Sequence, residues 1–350
     1  MADLLHQTDE RNSAAPADSG RPNRRRLWAL MQDAGKRRRF VDLALDYGIY
    51  VLLVGLLLYF SFASPYFLSV RNLFNILLAV SVTGIIAAGM TVALIAGQID
   101  LTVGAVIGLT TVITSSLVYY HGFSFLAGVL IALVIDVLIG LLTSLLVVNL
   151  AINSIIATLA MTLVIQGVAL ILANGETIPM VNLDLVHFIN ARPFGIPIPV
   201  IGLLIAFVAG FILLNYLRLG WHIYATGGNP SAALRAAIPI NRIYRFVFLL
   251  TAFLAGIGGV ITAGMAASGS GAYGVGEEFD VLAAVLLGGI GLSGGSGRIE
   301  RTLVGVLIVG VVNNGLVLMN IPSFYQDTVK GFVLLLAVVM SALRYKRSSR

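Results

Sequence analysis

Ten apolar runs dominate the chain, at about 44–63, 74–96, 101–120, 124–148, 154–173, 199–217, 244–265, 279–292, 302–319 and 325–343. A hydrocarbon core about 30 Å thick takes roughly 20 helical residues to cross. In lipid, an α-helix satisfies all its backbone groups within one segment. The pattern therefore predicts an all-α polytopic membrane protein of about ten transmembrane helices, some of them short or broken. The run at 279–292 is brief, and Gly288, Gly289, Gly291, Gly294 and Gly295 interrupt its end. Gly97-Gln98-Ile99-Asp100-Leu101-Thr102-Val103-Gly104 separates the second and third runs and echoes Gly288-Gly289-Ile290-Gly291-Leu292-Ser293-Gly294-Gly295. Irregular backbone at membrane depth survives only inside protein or beside water. Matched breaks in two halves point to an internal repeat and a transport pathway; chance likeness between glycine-rich segments is the competing account.

Composition narrows the class. With 58% apolar and 11% charged residues and a mean hydropathy of +0.97, a soluble domain, a disordered chain and an appended nucleotide-hydrolysing domain are excluded. The absence of cysteine removes disulfides, thiolate chemistry and Cys-ligated zinc. No phosphate-loop pattern occurs, so any ATP, with its magnesium, is expected on a partner, and no cofactor or metal on this chain.

The net charge of +6 is explained by position. An even number of spans puts both termini on one side. If that side is the cytoplasm, it holds nine Lys/Arg before residue 40, four at Arg218, Arg235, Arg242 and Arg245, Arg298 and Arg301, and four at the C-terminus, against Arg71 and Arg192 outside. This is the bias of the positive-inside rule. Residues 1–43 are expected to form a disordered basic cytoplasmic tail that orients the first span and attracts anionic lipid, with no need of nucleic acid. Residues 44–343 form the membrane domain, with a cytoplasmic loop at 218–243, and 344–350 a second tail. Neither a cleaved signal peptide nor a twin-arginine signal fits the polar stretch before residue 40.

Candidate chemistry is sparse. Gly269-Ser270-Gly271-Ala272-Tyr273-Gly274 and Gly291-Leu292-Ser293-Gly294-Gly295 spell two enzyme motifs, but 38 glycines make such matches expected, and neither has the strand context its chemistry needs. In the 218–243 loop, Asn229 reads as an N-cap and Pro230 as a first helical residue, predicting a two-turn helix over Ser231–Ala237 stopped before Pro239. Gly227 and Gly228 before it are expected to let the chain turn. Ionisable residues inside spans are functional candidates unless paired. Asp327 and Lys330 can pair on one helix. Asp136 has no local partner. Asp100 can cap the next helix through the Thr102 or Val103 amide, with ion coupling as the alternative. Asn313 and Asn314 suit sugar hydroxyls or helix packing. Gln98, Gly288, Gly289 and Ser293 complete the candidate pathway and helix-break set.

These motifs accumulate in order: Gly97–Gly104, the Ala225–Ile238 loop, Glu278-Phe279-Asp280 with Ala283–Gly289, Leu292–Ile299, Thr302–Gly305, Asn313–Leu316, and Tyr325-Gln326 with Val329-Lys330. From about 45 to 343 the chain resembles the permease subunits of ribose-type carbohydrate ABC importers, a group that extends to branched-chain amino acid permeases. The resemblance implies a bacterial inner-membrane complex with a second, identical or related permease, an ATP-binding subunit and a periplasmic substrate-binding protein. It implies that the short loop helix is a coupling helix against the ATPase, with Gly227, Gly228, Asn229, Pro230, Ala232, Ala233 and Arg235 at the coupling site. It also implies alternating access for a sugar: a pentose, hexose or polyol. Three departures stand out: Ala237 where the family usually has glycine, Arg301 where glycine is commoner, and Asp136 where a small residue is usual. An amino acid, nucleoside or signalling sugar is the alternative cargo. The other classes are an ion-coupled secondary transporter using Asp100 or Asp136, and a membrane scaffold that moves nothing.

Overall fold

The computed structural model describes residues 47–180 and 183–348, with backbone alone at residues 340 and 343–348. Expectations for the basic tail lie outside the described residues. Each of the ten apolar runs holds a helix: α1 (Tyr47–Ala63), then α2 (Val70–Ile95), α3 (Val103–Tyr119), α4 (Phe125–Val148), α5 (Ser154–Leu172), α7 (Ile198–Tyr216), α10 (Ile240–Ala266), α11 (Glu277–Leu287), α12 (Ile299–Leu318) and α13 (Ser323–Ser348). Three further helices, α6 (Asp184–Asn190), α8 (Arg218–Gly228) and α9 (Pro230–Arg235), lie between them. Among the described residues, six helices are long and apolar enough to cross a membrane: α2, α4, α5, α7, α10 and α12. α1 and α3 are shorter apolar helices, and α11 has 11 residues. α13 runs on to Ser348, so the expected C-terminal tail from 344 is largely helix.

Within the unit Ile49–Arg350, α2, α3, α10 and α11 form the centre. The apolar stretch of α2 is 78% buried, whereas that of α5 is 22% buried. Helices in lipid gain nothing from excluding water between them and associate through close packing of small residues. α10 packs on α4, α3 and α2, while α12 joins α11 to α2. Gly140 of α4 illustrates the requirement, since a Cβ there would lie 2.7 Å from the Phe248 carbonyl oxygen of α10. The rejected G-x-G-x-x-G spelling begins in a two-residue strand, Ser268–Gly269, paired antiparallel with Ile178–Pro179; α11 begins only at Glu277. Gly271 of that spelling packs against the α5 backbone, with a Cβ 3.1 Å from Leu170 N.

Candidate functional site

The two glycine-rich breaks begin with the same turn. After α2, Gly97 adopts φ 80°, its N–H donates to Leu94 O at 2.9 Å, and the Gln98 N–H donates to Ala93 O at 2.9 Å. After α11, Gly289 adopts φ 89°, its N–H donates to Leu286 O at 2.9 Å, and Ile290 N–H donates to Val285 O at 3.4 Å. This bond pair closes a helix around a left-handed residue, a conformation open to glycine. The equivalent residues are Gly97 and Gly289, one place out of the register in which the sequences echo. Gly288 serves packing instead, since a Cβ there would sit 2.8 Å from the Thr302 backbone of α12.

The short loop helix is α9. The Asn229 side chain accepts from the Ala232 N–H at 2.9 Å, and Pro230 occupies the first turn, where its missing N–H costs nothing. The helix stops at Arg235, two residues before the expected end. Ala237 N–H donates to Leu234 O at 3.0 Å and Ile238 N–H to Ala233 O at 3.0 Å, the same closing bonds as at the two breaks. Here the left-handed position, φ 59°, falls on Ala237, the residue that departs from the family's glycine. α9 buries Ala233 and leaves Ser231, Ala232, Leu234 and Arg235 exposed.

Gly227 and Gly228 do not make the expected turn. Both lie in the last turn of α8, and neither has positive φ. Their smallness is what the packing needs. A Cβ on Gly227 would overlap the Ile95 carbonyl oxygen and come within 2.6 Å of Gly295 N. A Cβ on Gly294 would lie 2.9 Å from Gly97 Cα and 3.2 Å from Gly227 Cα. The Gly295 N–H donates to Ile95 O at 2.8 Å. The end of α8, the break after α2 and the break before α12 therefore meet backbone to backbone.

Two polar groups secure this junction. Tyr224 of α8 donates its hydroxyl to Gly297 O at 2.9 Å. Burial, then the charge of Glu300, raises its phenol above the ordinary value, with Arg298 opposing. Asp100, fully buried, accepts from the Thr102 N–H at 3.0 Å, the Thr102 hydroxyl at 2.6 Å and the Thr251 hydroxyl of α10. The expected bond to the Thr102 amide is present, and Thr251 ties the break to α10. Gln98, also buried, sits beside the Tyr244 hydroxyl.

The other candidates are dispersed. Ser293 is exposed on the second break. Asp136 is buried between α3, α4 and α10, where Oδ2 accepts from the Thr110 hydroxyl at 2.9 Å and Oδ1 has no partner. Asn314 exchanges two 2.9 Å amide bonds with Asn72 of α2, so it joins helices. Its neighbour Asn313 has a buried, unpartnered Oδ1 beside Asp280 and Lys330. Lys330 pairs across helices with Asp280 at 3.0 Å, in place of the expected bond to Asp327. Tyr224 and Thr251 were missed because their partners lie 73 and 151 residues away, beyond any local spacing signal.

Comparison with known proteins bears on the whole domain. Residues 72–338 match the family described as branched-chain amino acid transport system / permease component. The chain is 40% identical to the ribose import permease protein RbsC of Escherichia coli K12, over 83% of this chain and 91% of that one. It is 34% identical to the L-arabinose ABC transporter permease protein AraH of Azospirillum brasilense, over 97% and 96%, and 31% identical to the D-allose transport system permease protein AlsC of Escherichia coli K12, over 85% and 91%. No solved structure matches. The chain belongs to the branched-chain amino acid transport system / permease component family, in its ribose-type branch, as a multi-pass protein of the bacterial inner membrane.

Proposed function

We propose that this chain is the membrane subunit of a binding-protein-dependent ABC importer that carries a sugar into the cytoplasm. The observation that carries the reading is the glycine junction. An exposed short helix, capped at both ends, follows directly on α8, whose last turn meets, backbone to backbone, the two places where the membrane helices break. Such a helix buries little by itself and needs a partner. Leu234, 66% exposed, and Arg235 offer an apolar and a cationic contact to an ATP-binding subunit that holds ATP and magnesium. With the loop in the cytoplasm, ATP binding draws together the α9 helices of two permeases, identical or related. The junction passes the displacement to α2 and α11, and the pathway opens toward a periplasmic binding protein. Hydrolysis resets it. A ligand shifts such an equilibrium only through unequal affinity for the two states, so release from the binding protein must favour the outward state.

Sugar as the cargo class rests on relatives named for ribose, arabinose and allose. The test is purification from the host membrane in mild detergent with an ATPase assay. A stoichiometric ATPase is expected, and Leu234→Asp should abolish its co-purification while the permease stays folded. Recovery of the chain alone, still moving solute in liposomes, overturns the reading in favour of ion coupling through Asp100 or Asp136.

A further inference from the structure

The exposed surface of α7 and α8 changes character along the chain. On α7 it is aliphatic, with Leu204, Ile205, Val208 and Ile212 exposed. At its end comes Tyr216, 73% exposed, and on α8 comes Trp221, 71% exposed, on one stripe with exposed Arg218. Aliphatic, then aromatic, then cationic is the order in which a bilayer passes from acyl chains to headgroups. The bend between the helices keeps α8 at that level. Leu217 is extended, with φ -94° and ψ 146°, and Gly220 then packs α8 against the last turn of α7. A Cβ there would lie 2.4 Å from Leu213 O and 2.5 Å from Leu214 O. The first turn of α8 therefore sits beside the last turn of a helix long and apolar enough to cross the membrane.

α8 has two faces. Gly220, Ile223, Thr226 and Gly227 are buried, the last of them at the junction. Arg218, Trp221, Ala225 and Gly228, at spacings of three, four and three, form the exposed stripe. An indole in water leaves its apolar ring unburied, and one among acyl chains strands its N–H. The boundary between the two satisfies both parts. The Arg218 side chain has no hydrogen-bond or ion-pair partner among the described residues. As the first residue of α8 its charge also works against the helix dipole, so it is not placed there for the sake of the helix. Segments 218–245 and 298–301 together carry six arginines and one acid, Glu300, so the anion that neutralises Arg218 must come from elsewhere.

We infer that α8 is an interfacial anchor, its Arg218–Trp221 stripe seated in the headgroup layer of the adjoining leaflet, where it takes an anionic phospholipid. The indole lies along the glycerol and ester groups and donates its N–H to an ester or phosphate oxygen. The guanidinium meets the phosphate with two parallel N–H donors. A net negative headgroup is preferred, because a zwitterionic one brings its own cation to the phosphate. Lipid on one face of α8 and the helix breaks on another then hold the same short helix. The rival occupant of the stripe is the ATP-binding subunit, to which α9 already offers Leu234. The inference rests on the importer reading only for naming this leaflet the cytoplasmic one.

The chain has two tryptophans, Trp28 and Trp221, so Trp28→Phe isolates the indole of α8. The double variant Trp28→Phe, Trp221→Phe is the blank for any co-purified subunit. Both are placed in bilayer discs with phosphatidylcholine brominated either next to the headgroup or at the ends of the acyl chains. Trp221 emission should be quenched more strongly by the shallow bromines, with or without the ATP-binding subunit bound. Brominated phosphatidylglycerol diluted into plain phosphatidylcholine should reach half-maximal quenching at about one-fifth the fraction that brominated phosphatidylcholine needs, the preference one arginine gives at an anionic surface. Arg218→Gln, at an exposed and unpartnered position, should keep the melting temperature and abolish that preference. Unquenched emission, stronger quenching by the deep bromines, or quenching lost when the ATP-binding subunit binds overturns the anchor. Equal quenching by the two lipids, or a preference that survives Arg218→Gln, overturns the anionic contact. Unquenched Trp221 in a preparation holding a stoichiometric ATPase leaves the importer reading standing. Shallow quenching in a protein that carries no ATPase leaves the anchor standing while the importer reading falls.

Discussion

The break after α2 and the break after α11 start from one backbone turn and are then held in opposite ways. In the first, Ile99, Asp100, Leu101 and Thr102 are buried, and side chains bind the segment: Asp100 gathers three donors, and the Thr162 hydroxyl donates to Leu101 O at 2.9 Å. In the second, Leu292, Ser293 and Ser296 are exposed. Its holds are backbone bonds such as Gly294 N–H to Gly291 O at 3.2 Å and Gly295 N–H to Ile95 O at 2.8 Å, with Tyr224 reaching in from α8. A turn fastened by a buried carboxylate acts as a fixed point. The same turn fastened by backbone at one edge can shift when its neighbour moves. The end of α8 therefore rests on an anchor and a compliant segment at once, and backbone exchange should be faster over 291–297 than over 99–102.

The comparison can be broken at its centre or one side at a time. Gly227→Val drives a branched side chain into two backbones and forces both breaks away from α8. Overpacking against unyielding backbone should cost more than about 3 kcal/mol, seen as loss of folded protein in detergent. Asp100→Ala turns the anchored break into a copy of the loose one. Leaving the buried Thr102 and Thr251 donors without their carboxylate should cost about 2–3 kcal/mol, read as a lower melting temperature, and amide exchange at 99–102 should rise to that of 291–297. Should the two stay apart, Asp100 is not the anchor.

Tyr224→Phe loosens the second break alone, by about 1 kcal/mol. The phenol donates only while protonated, and its folded-state pKa is raised. Its contribution is therefore complete below the ordinary phenol value of about 10 and lost as pH rises through the folded value. The wild-type chain should lose this increment in alkali, and the phenylalanine variant should not. Ala237→Gly touches neither break and relieves a left-handed alanine. It should stabilise by roughly 0.5–1 kcal/mol, the strain offset in part by glycine's greater freedom in the unfolded chain. A drop in melting temperature would contradict the strain assigned to Ala237.

Much of this was legible locally. Each apolar run became a helix, because a lipid-facing segment must satisfy its own backbone. The α9 cap followed from Asn229 and Pro230, and the Asp100 bond to the Thr102 amide from a two-residue spacing. All these depend on neighbours within a turn or two. The family, too, was readable from motif order. What local pattern could not supply was how the segments meet. Gly227 reads as a turn residue until α2 is laid against it, and Lys330 reads as a partner of Asp327 until α11 brings Asp280 within 3.0 Å. Asn313 and Asn314 are identical in sequence terms, yet one joins two helices and its neighbour has a buried Oδ1 with no partner. Covalent spacing sets which groups share a helix face. Which helix lies opposite that face is decided by packing among all of them, so only the tertiary structure showed that Gly227 packs where a turn was expected and that Lys330 meets Asp280.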